Sequence, residues 1–88
     1  MSQIIRRASA GTLESSDVLV QIAPSDDGLH IQLDSVVQAQ FGDDILSVVK
    51  EVLDECGIEQ ANLNIQDRGA LDYVIRARVE TAIIRGKG

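Results

Sequence analysis

The sequence predicts a small α+β domain in two layers, in which two amphipathic helices pack on one face of a small mixed sheet. Two kinds of hydrophobic periodicity support this prediction. Three short segments alternate apolar and polar residues, which is typical of strands with one buried face, and two longer segments repeat apolar residues at helical spacing. The predicted order along the chain is strand, strand, helix, strand, helix.

The first two predicted strands read VLVQI, from Val18 to Ile22, and LHIQL, from Leu29 to Leu33. Between them lies the clearest turn signal of the chain, a run from Pro24 to Gly28 that ends in an Asp-Gly dipeptide. Because two alternating segments joined by a short turn commonly pair, we expect an antiparallel hairpin with one buried face. The preceding residues 3–12, QIIRRASAGT, are either a further strand or an arm.

The first helix is predicted to follow Asp34 and Ser35, because either residue is a suitable cap. Gly42 interrupts the helical pattern, so a short helix running into a longer one is an alternative to a single helix. Gly57 is expected to end it, since glycine adopts a left-handed conformation without steric cost. The expected apolar stripe consists of Val37, Phe41, Ile45, Val48, Val49, Val52, Leu53 and Cys56.

The third strand is predicted from Ala61 to Ile65, where asparagines alternate with apolar residues. The second helix is predicted from about Ala70 to Arg85. The apolar stripe of the second helix comprises Leu71, Ile75, Val79, Ala82 and Ile83.

A chain of 88 residues has room for one domain with one modest core.

The composition excludes several classes of function. A net charge of −6, from 14 acidic and 8 basic residues, disfavours binding to nucleic acid and to anionic membranes. No apolar run approaches the ~20 residues that cross a bilayer, and the start of the chain lacks the apolar region of a secretory signal. A single cysteine, Cys56, forms no disulfide within the chain. These features together predict a cytoplasmic protein.

No catalytic or metal-binding constellation can be assembled from the residues. His30, the single histidine, falls on the polar face of a predicted strand, where a solvated residue is more frequent than a catalytic base. Cys56 has no cysteine partner and belongs to the apolar stripe of a helix. Adjacent aspartates, at 26–27 and 43–44, are typical of turns and helix starts. We therefore predict no catalytic residues and no metal ligands, and a chain that is not an enzyme.

The segment from Gly11 to Asp17 is polar and is predicted to be an exposed loop that presents the hydroxyls of Ser15 and Ser16. Neither serine has a nearby histidine or a nucleophile elbow that would activate it for hydrolysis. An exposed hydroxyl can still accept a covalent modification, although a Ser-Ser-Asp run in a loop is more often an ordinary turn or cap. The residues alone leave both interpretations open.

The run AGTLESSD, from Ala10 to Asp17, resembles the prosthetic-group motif of the citrate lyase acyl carrier protein family, the gamma subunits of citrate lyase. The similarity extends over nearly the whole chain in order and spacing. The further matching segments are VQIAP at 20–24, QFGDDI at 40–45, VVKEVL at 48–53 and RGALDYVIRARVETAIIR at 68–85.

This resemblance implies a non-catalytic carrier subunit in which Ser15 bears a covalent phosphoribosyl-dephospho-coenzyme A group. The thiol of that group would hold acetyl and citryl thioesters during cleavage of citrate to acetate and oxaloacetate. The implied partners are the alpha subunit (a transferase), the beta subunit (a lyase), the transferase that attaches the group and an acetylating ligase. Glu14 and Asp17 would orient the attachment loop or contact the attaching transferase, the alternative being solvated loop carboxylates.

On this interpretation the chain is one acyl carrier domain, 1–88, in which residues 1–17 form an arm and the attachment loop and residues 18–85 form the folded core. Two alternatives remain at the level of sequence. A carrier of the malonate decarboxylase type bears the same kind of arm. A small ligand-binding or assembly module of the same fold class would leave Ser15 unmodified.

Overall fold

In the computed structural model, which describes residues 3–88, four strands form one mixed sheet and two helices pack against one of its faces. The predicted α+β class and the order of the predicted elements are confirmed. The strands are β1 (Ala8–Gly11), β2 (Val18–Ala23), β3 (Leu29–Ser35) and β4 (Ala61–Asp67), and the helices are α1 (Gln38–Glu55) and α2 (Asp72–Gly86).

The predicted hairpin between β2 and β3 is wrong, because the sheet order is β1-β2-β4-β3 and β4 lies between them. β4 pairs antiparallel with β2, with Ile65 opposite Val20, and parallel with β3, with Ile65 opposite Leu33. The inward side chains of β4 are fully buried, whereas those of β3 are at most half-buried. β4 is therefore a central strand and β3 an edge strand. The segment between β3 and β4 contains α1 and is long enough for the crossover that parallel pairing requires.

The segment before β2, which the sequence left open between a strand and an arm, contains β1. This strand pairs antiparallel with β2, with Ala10 opposite Val20. Ile4 is also buried, and it forms an isolated bridge with Lys87. The hydrophobic core thus includes residues that precede position 18.

α1 is a single helix in which Gly42 is buried, and Gly57 beyond its end has the expected positive φ of 69°. Two apolar residues predicted to face the core are instead exposed: Phe41 by 49% and Leu71 by 61%. Phe41 lies in the first turn of α1, and Leu71 is at the cap position of α2. Helical periodicity predicts the face on which a residue lies but not whether another element covers that face at the start of the helix.

One end of the molecule brings together the loop between β1 and β2 and the starts of both helices. β1, β3 and β4 run towards this end, and β2 runs away from it. At this end the Val36 N–H donates to the carbonyl oxygen of Asp67, with an N···O distance of 3.2 Å. We call residues 12–17, 35–41 and 67–73 the loop end. Neither helix within residues 3–88 is long and apolar enough to cross a bilayer.

Candidate attachment site at the loop end

Residues 12–17 form a tight turn that places Ser15 at an exposed tip. The Asp17 N–H donates to the Glu14 carbonyl oxygen at 3.1 Å, which closes a four-residue turn with Ser15 and Ser16 at its centre. Ser16 has a φ of 65°, and a positive φ at the third residue is the requirement of a type II turn. The hydroxyls of both serines are accessible, as the sequence predicted.

The turn is fastened to the segment that follows β4. The Ser16 N–H donates to the Arg68 carbonyl oxygen at 2.8 Å, and the Arg68 N–H donates to the Asp17 carbonyl oxygen at 2.9 Å. Ser16 and Asp17 thus both bond to the single residue Arg68, which is the pattern of a bulge next to the last antiparallel pair of β2 and β4, Val18–Asp67. The base of the turn is therefore a continuation of the sheet, and Ser15 projects beyond it.

The Asp17 carboxylate is the centre of the turn. Arg78 on α2 donates to both of its oxygens, from Nε to Oδ1 at 3.1 Å and from Nη2 to Oδ2 at 3.0 Å. The Thr12 hydroxyl donates to Oδ2 at 2.7 Å, and the Val18 N–H donates to Oδ1 at 2.8 Å. The hydrogen bond from Arg78, followed by that from Thr12, lowers the pKa of Asp17 to about 2. The carboxylate is thus ionised at neutral pH and ties the turn to α2.

Two further residues fix the shape of the turn. The Thr12 hydroxyl also accepts a hydrogen bond from the Glu14 N–H at 3.2 Å. Gly11 has a φ of 96°, and a Cβ atom there would overlap the carbonyl oxygen of Val18 and lie 3.3 Å from Cδ of Arg78. The glycine is therefore required both by the backbone conformation and by the close approach of neighbouring atoms.

A buried carboxylate supports the same end of the molecule. Asp67, at the end of β4, is fully buried. Its Oδ2 accepts from the Ser35 hydroxyl at 2.7 Å, and its Oδ1 accepts from the Ala70 N–H at 2.9 Å. The Ser35 hydroxyl also accepts from the Val37 N–H at 3.1 Å. Asp67 thereby joins the segment before α1 to the segment before α2.

For Asp17 the structure supports orientation of the loop, because its carboxylate joins the turn to β2 and α2. Glu14 is exposed, and both alternatives given for it stay predictions. Sequence reasoning missed Arg78, because its partner is 61 positions away and basic residues on a helix usually face solvent. The other arginines of α2 are also engaged within the chain: Arg76 with Glu51 and Glu55, and Arg85 with the carbonyl oxygen of Ser9.

The remaining candidates lie away from Ser15. His30 is exposed on β3, and its Nε2 is 2.8 Å from Oδ1 of Asp27. Cys56 is a free thiol packed partly against the core. Within residues 3–88 no three side chains converge to form a metal site. A groove of about 610 Å³ crosses the sheet at Gln21, Gln32 and Asn64, and no residue of the Ser15 turn lines it.

Comparison with known proteins identifies the family. A family model described as "ACP: Malonate decarboxylase delta subunit (MdcD)" matches residues 5–86. A citrate lyase acyl carrier protein of Escherichia fergusonii is 51% identical over 94% of this chain and 87% of its own length. One from Rhodopseudomonas palustris is 53% identical over 94% of this chain and 86% of its own. The chain belongs to the citrate lyase acyl carrier protein family.

The fold of this citrate lyase acyl carrier family member also occurs in a solved assembly. A chain in the crystal structure of a Pseudomonas malonate decarboxylase hetero-tetramer in complex with malonate superposes with a TM-score of 0.80. The two chains are 26% identical, and the similarity covers 91% of this chain and 82% of the other. Acyl carrier proteins of this type carry a prosthetic group, and the Ser15 turn presents an accessible hydroxyl on an anchored base.

Proposed function

We propose that this chain is the acyl carrier subunit of a citrate lyase and that Ser15 is the attachment point of its covalent arm. The observation that carries the proposal is the exposed hydroxyl of Ser15, at the tip of an anchored turn, in a chain about half identical to named citrate lyase carriers. Its neighbour Ser16 has a strained positive φ and a backbone N–H already bonded to Arg68. The backbone of Ser16 is thus fixed at the base of the turn, and we assign the attachment to Ser15, the first serine of the Glu-Ser-Ser-Asp run.

The residues around Ser15 fit a large covalent group. A substituent on an exposed hydroxyl displaces no packed side chain, and the base of the turn is held by Asp17 independently of what Ser15 bears. The group we assign is phosphoribosyl-dephospho-coenzyme A. When bound, it supplies a terminal thiol that holds acyl groups as thioesters.

Attachment of this group requires one phosphoryl transfer onto Ser15. A bond forms between Ser15 Oγ and the phosphorus of a phosphoanhydride donor, and the anhydride P–O bond breaks. The leaving phosphate group takes the electron pair of the broken bond, and a base of the attaching enzyme takes the proton of the serine. Ser15 acts only as the acceptor in this step.

The chain itself acts as an anchor and performs no bond-making after loading. A tether on a small rigid domain keeps its far end at high effective concentration near two active sites, provided that it can span both. The partners that we assign are the alpha transferase and beta lyase subunits, the attaching transferase and an acetylating ligase. We assign these reactions to the cytoplasm, because a single free thiol and an acidic surface suit that compartment.

Reconstitution of citrate cleavage tests this function. Wild type, Ser15→Ala and Ser16→Ala would each be incubated with the attaching enzyme, the ligase and the alpha and beta subunits, and oxaloacetate formation would be measured. We expect activity with wild type and Ser16→Ala and none with Ser15→Ala. Full activity of a folded Ser15→Ala protein would contradict the assignment of the site.

A malonate decarboxylase carrier is the second candidate, because both the family model and the solved relative carry that name. The named citrate lyase relatives, at 45–53% identity, favour the citrate enzyme over the relative at 26%. Reconstitution with malonate decarboxylase subunits distinguishes the two. Release of carbon dioxide from malonate, without citrate cleavage in the first assay, would replace the citrate lyase assignment.

A further inference from the structure

The loop end exposes more large apolar side chains than the rest of the described chain. Eight such side chains are exposed within residues 3–88, and five of them lie here. Single exposed apolar residues are ordinary, but a group at one functional end marks a contact surface. We call these five the apolar rim: Leu13 at 51% exposure, Val36 at 64%, Phe41 at 49%, Leu71 at 61% and Tyr73 at 70%.

Both helices begin at the loop end without a capping side chain. The residues at the cap positions are Val37 for α1 and Leu71 for α2. Serine, threonine, aspartate or asparagine at such a position would stabilise the helix by about 1 kcal/mol. Val37 packs against the hydrophobic core and so contributes to the stability of the chain, whereas Leu71 is exposed and contributes little. Departures from local rules are expected at functional surfaces, and a contact with another protein accounts for Leu71 better than the stability of this chain does.

We propose that the apolar rim is the docking surface for the enzyme that attaches the arm to Ser15, an inference that rests on the proposed function. That enzyme must bring its catalytic groups to about 3 Å from Ser15 Oγ. Its surface therefore has to cover the loop end. The alpha and beta subunits do not have to cover the loop end, because the arm carries the reacting thiol many bonds away from Ser15.

The charges around the apolar rim are complementary to those expected on the attaching enzyme. Glu14 and Asp72 are exposed, and among the described residues neither forms an ion pair, whereas the charge of Asp17 is matched by Arg78. An enzyme that transfers a phosphoryl group surrounds the donor with cations. Arg68 at the same end also forms no ion pair among the described residues and donates to the carbonyl oxygen of Asp67, so the two acidic charges exceed the basic ones by one. This acidic excess is complementary to those cations. The expected partner surface is an apolar recess bordered by basic side chains.

A pair of matched variants tests the proposal. Leu71→Ser removes a rim side chain and supplies a helix cap, so the melting temperature should stay constant or rise. Ile84→Ser removes a side chain of the same 61% exposure near the other end of α2. Loading would be followed by intact mass over time with the purified attaching enzyme. We expect kcat/KM for loading to fall about tenfold with Leu71→Ser, mainly through KM, and to stay within about twofold with Ile84→Ser.

A second assay distinguishes the attaching enzyme from the catalytic subunits as the partner that binds the apolar rim. Both variants would be loaded to completion with excess enzyme and then tested for citrate cleavage, where we expect wild-type rates. Equal loading kinetics for Leu71→Ser and wild type would overturn the proposal. So would normal loading combined with slow citrate cleavage, since the rim would then serve the catalytic subunits. Wild type that cannot be loaded at all would refute the proposed function itself, and the docking surface with it.

Discussion

Asp17 shows how one residue of the Ser15 turn connects distant parts of the chain. Its carboxylate accepts hydrogen bonds from Thr12 within the turn, from Val18 at the start of β2 and from Arg78 on α2. The side chain is only 15% exposed, so solvent screens the pair with Arg78 less than it screens a surface ion pair. The position of the turn therefore depends on the charge of Asp17.

The charge of Asp17 makes part of the stability dependent on pH. Because the folded-state pKa is about 2, below the usual 3.8, the ionised carboxylate stabilises the fold above about pH 4. This stabilisation is lost as the pH falls from about 4 towards 2. We expect Asp17→Asn to lower the free energy of unfolding by about 1 kcal/mol at pH 7, and the difference from wild type to shrink below pH 4. Urea unfolding between pH 7 and pH 2.5 measures it, and a difference that stays constant would contradict the account.

Gly11 provides a second test at the residue scale, with Gly28 as its control. Both glycines have positive φ, 96° and 104°, so alanine is strained by its backbone at either position. Only at Gly11 would the new Cβ meet other atoms, whereas at Gly28 nothing lies within 4 Å. We expect Gly11→Ala to reduce the free energy of unfolding by about 2 kcal/mol more than Gly28→Ala, as measured by thermal or urea unfolding. Equal losses of unfolding free energy would contradict this prediction, because they would show that the atoms around Gly11 accommodate the new Cβ at no cost.

At the scale of elements, hydrophobic periodicity predicted where the strands and helices lie in the sequence but not which strands pair in the sheet. The alternation in β2, β3 and β4 reports which side chains face inward, and those faces were predicted correctly for β2 and β4. It carries no information on order within the sheet. The Asp-Gly signal before β3 indicated a hairpin, but Gly28 instead accepts a hydrogen bond from the N–H of Ala61 at the start of β4.

A substitution at Asp67 tests the arrangement of the elements, because this residue joins β4 to the segments before both helices. Alanine at this position would leave the Ser35 hydroxyl and the Ala70 N–H without their acceptor. We expect Asp67→Ala to lower the free energy of unfolding by about 2–3 kcal/mol. Asn64→Ala, on the exposed face of the same strand, should change it by less than about 0.5 kcal/mol. Urea unfolding of both variants measures the difference, and similar losses would contradict the role assigned to Asp67.

At the scale of the whole molecule, the sequence predicted the exposed Ser15 loop but not what holds it. The motif from Ala10 to Asp17 is local and can be recognised in the sequence. Its anchors, Arg68 and Arg78, come from the last quarter of the chain and meet the turn only after β2 has paired with β4. The exposure of Phe41 and Leu71 was not predicted either, because helical periodicity does not show whether another element covers the apolar face at the start of a helix.

Two parts of the folded chain have different tasks. The hydrophobic core between the sheet and the helices makes the domain a rigid anchor, and the loop end presents Ser15 within a rim of apolar side chains. No catalytic residue is needed for this task. The central claim is that Ser15 is the covalent attachment point, and it makes a prediction about mass.

Peptide fragmentation after loading tests that claim most directly. The chain would be co-expressed with the enzymes that synthesise and attach the arm, and its intact mass would be compared with that of Ser15→Ala made in the same way. We predict a mass gain equal to phosphoribosyl-dephospho-coenzyme A, located on Ser15 and lost in the variant. A gain located on Ser16, or no gain with an attaching enzyme that loads another carrier, would contradict the account.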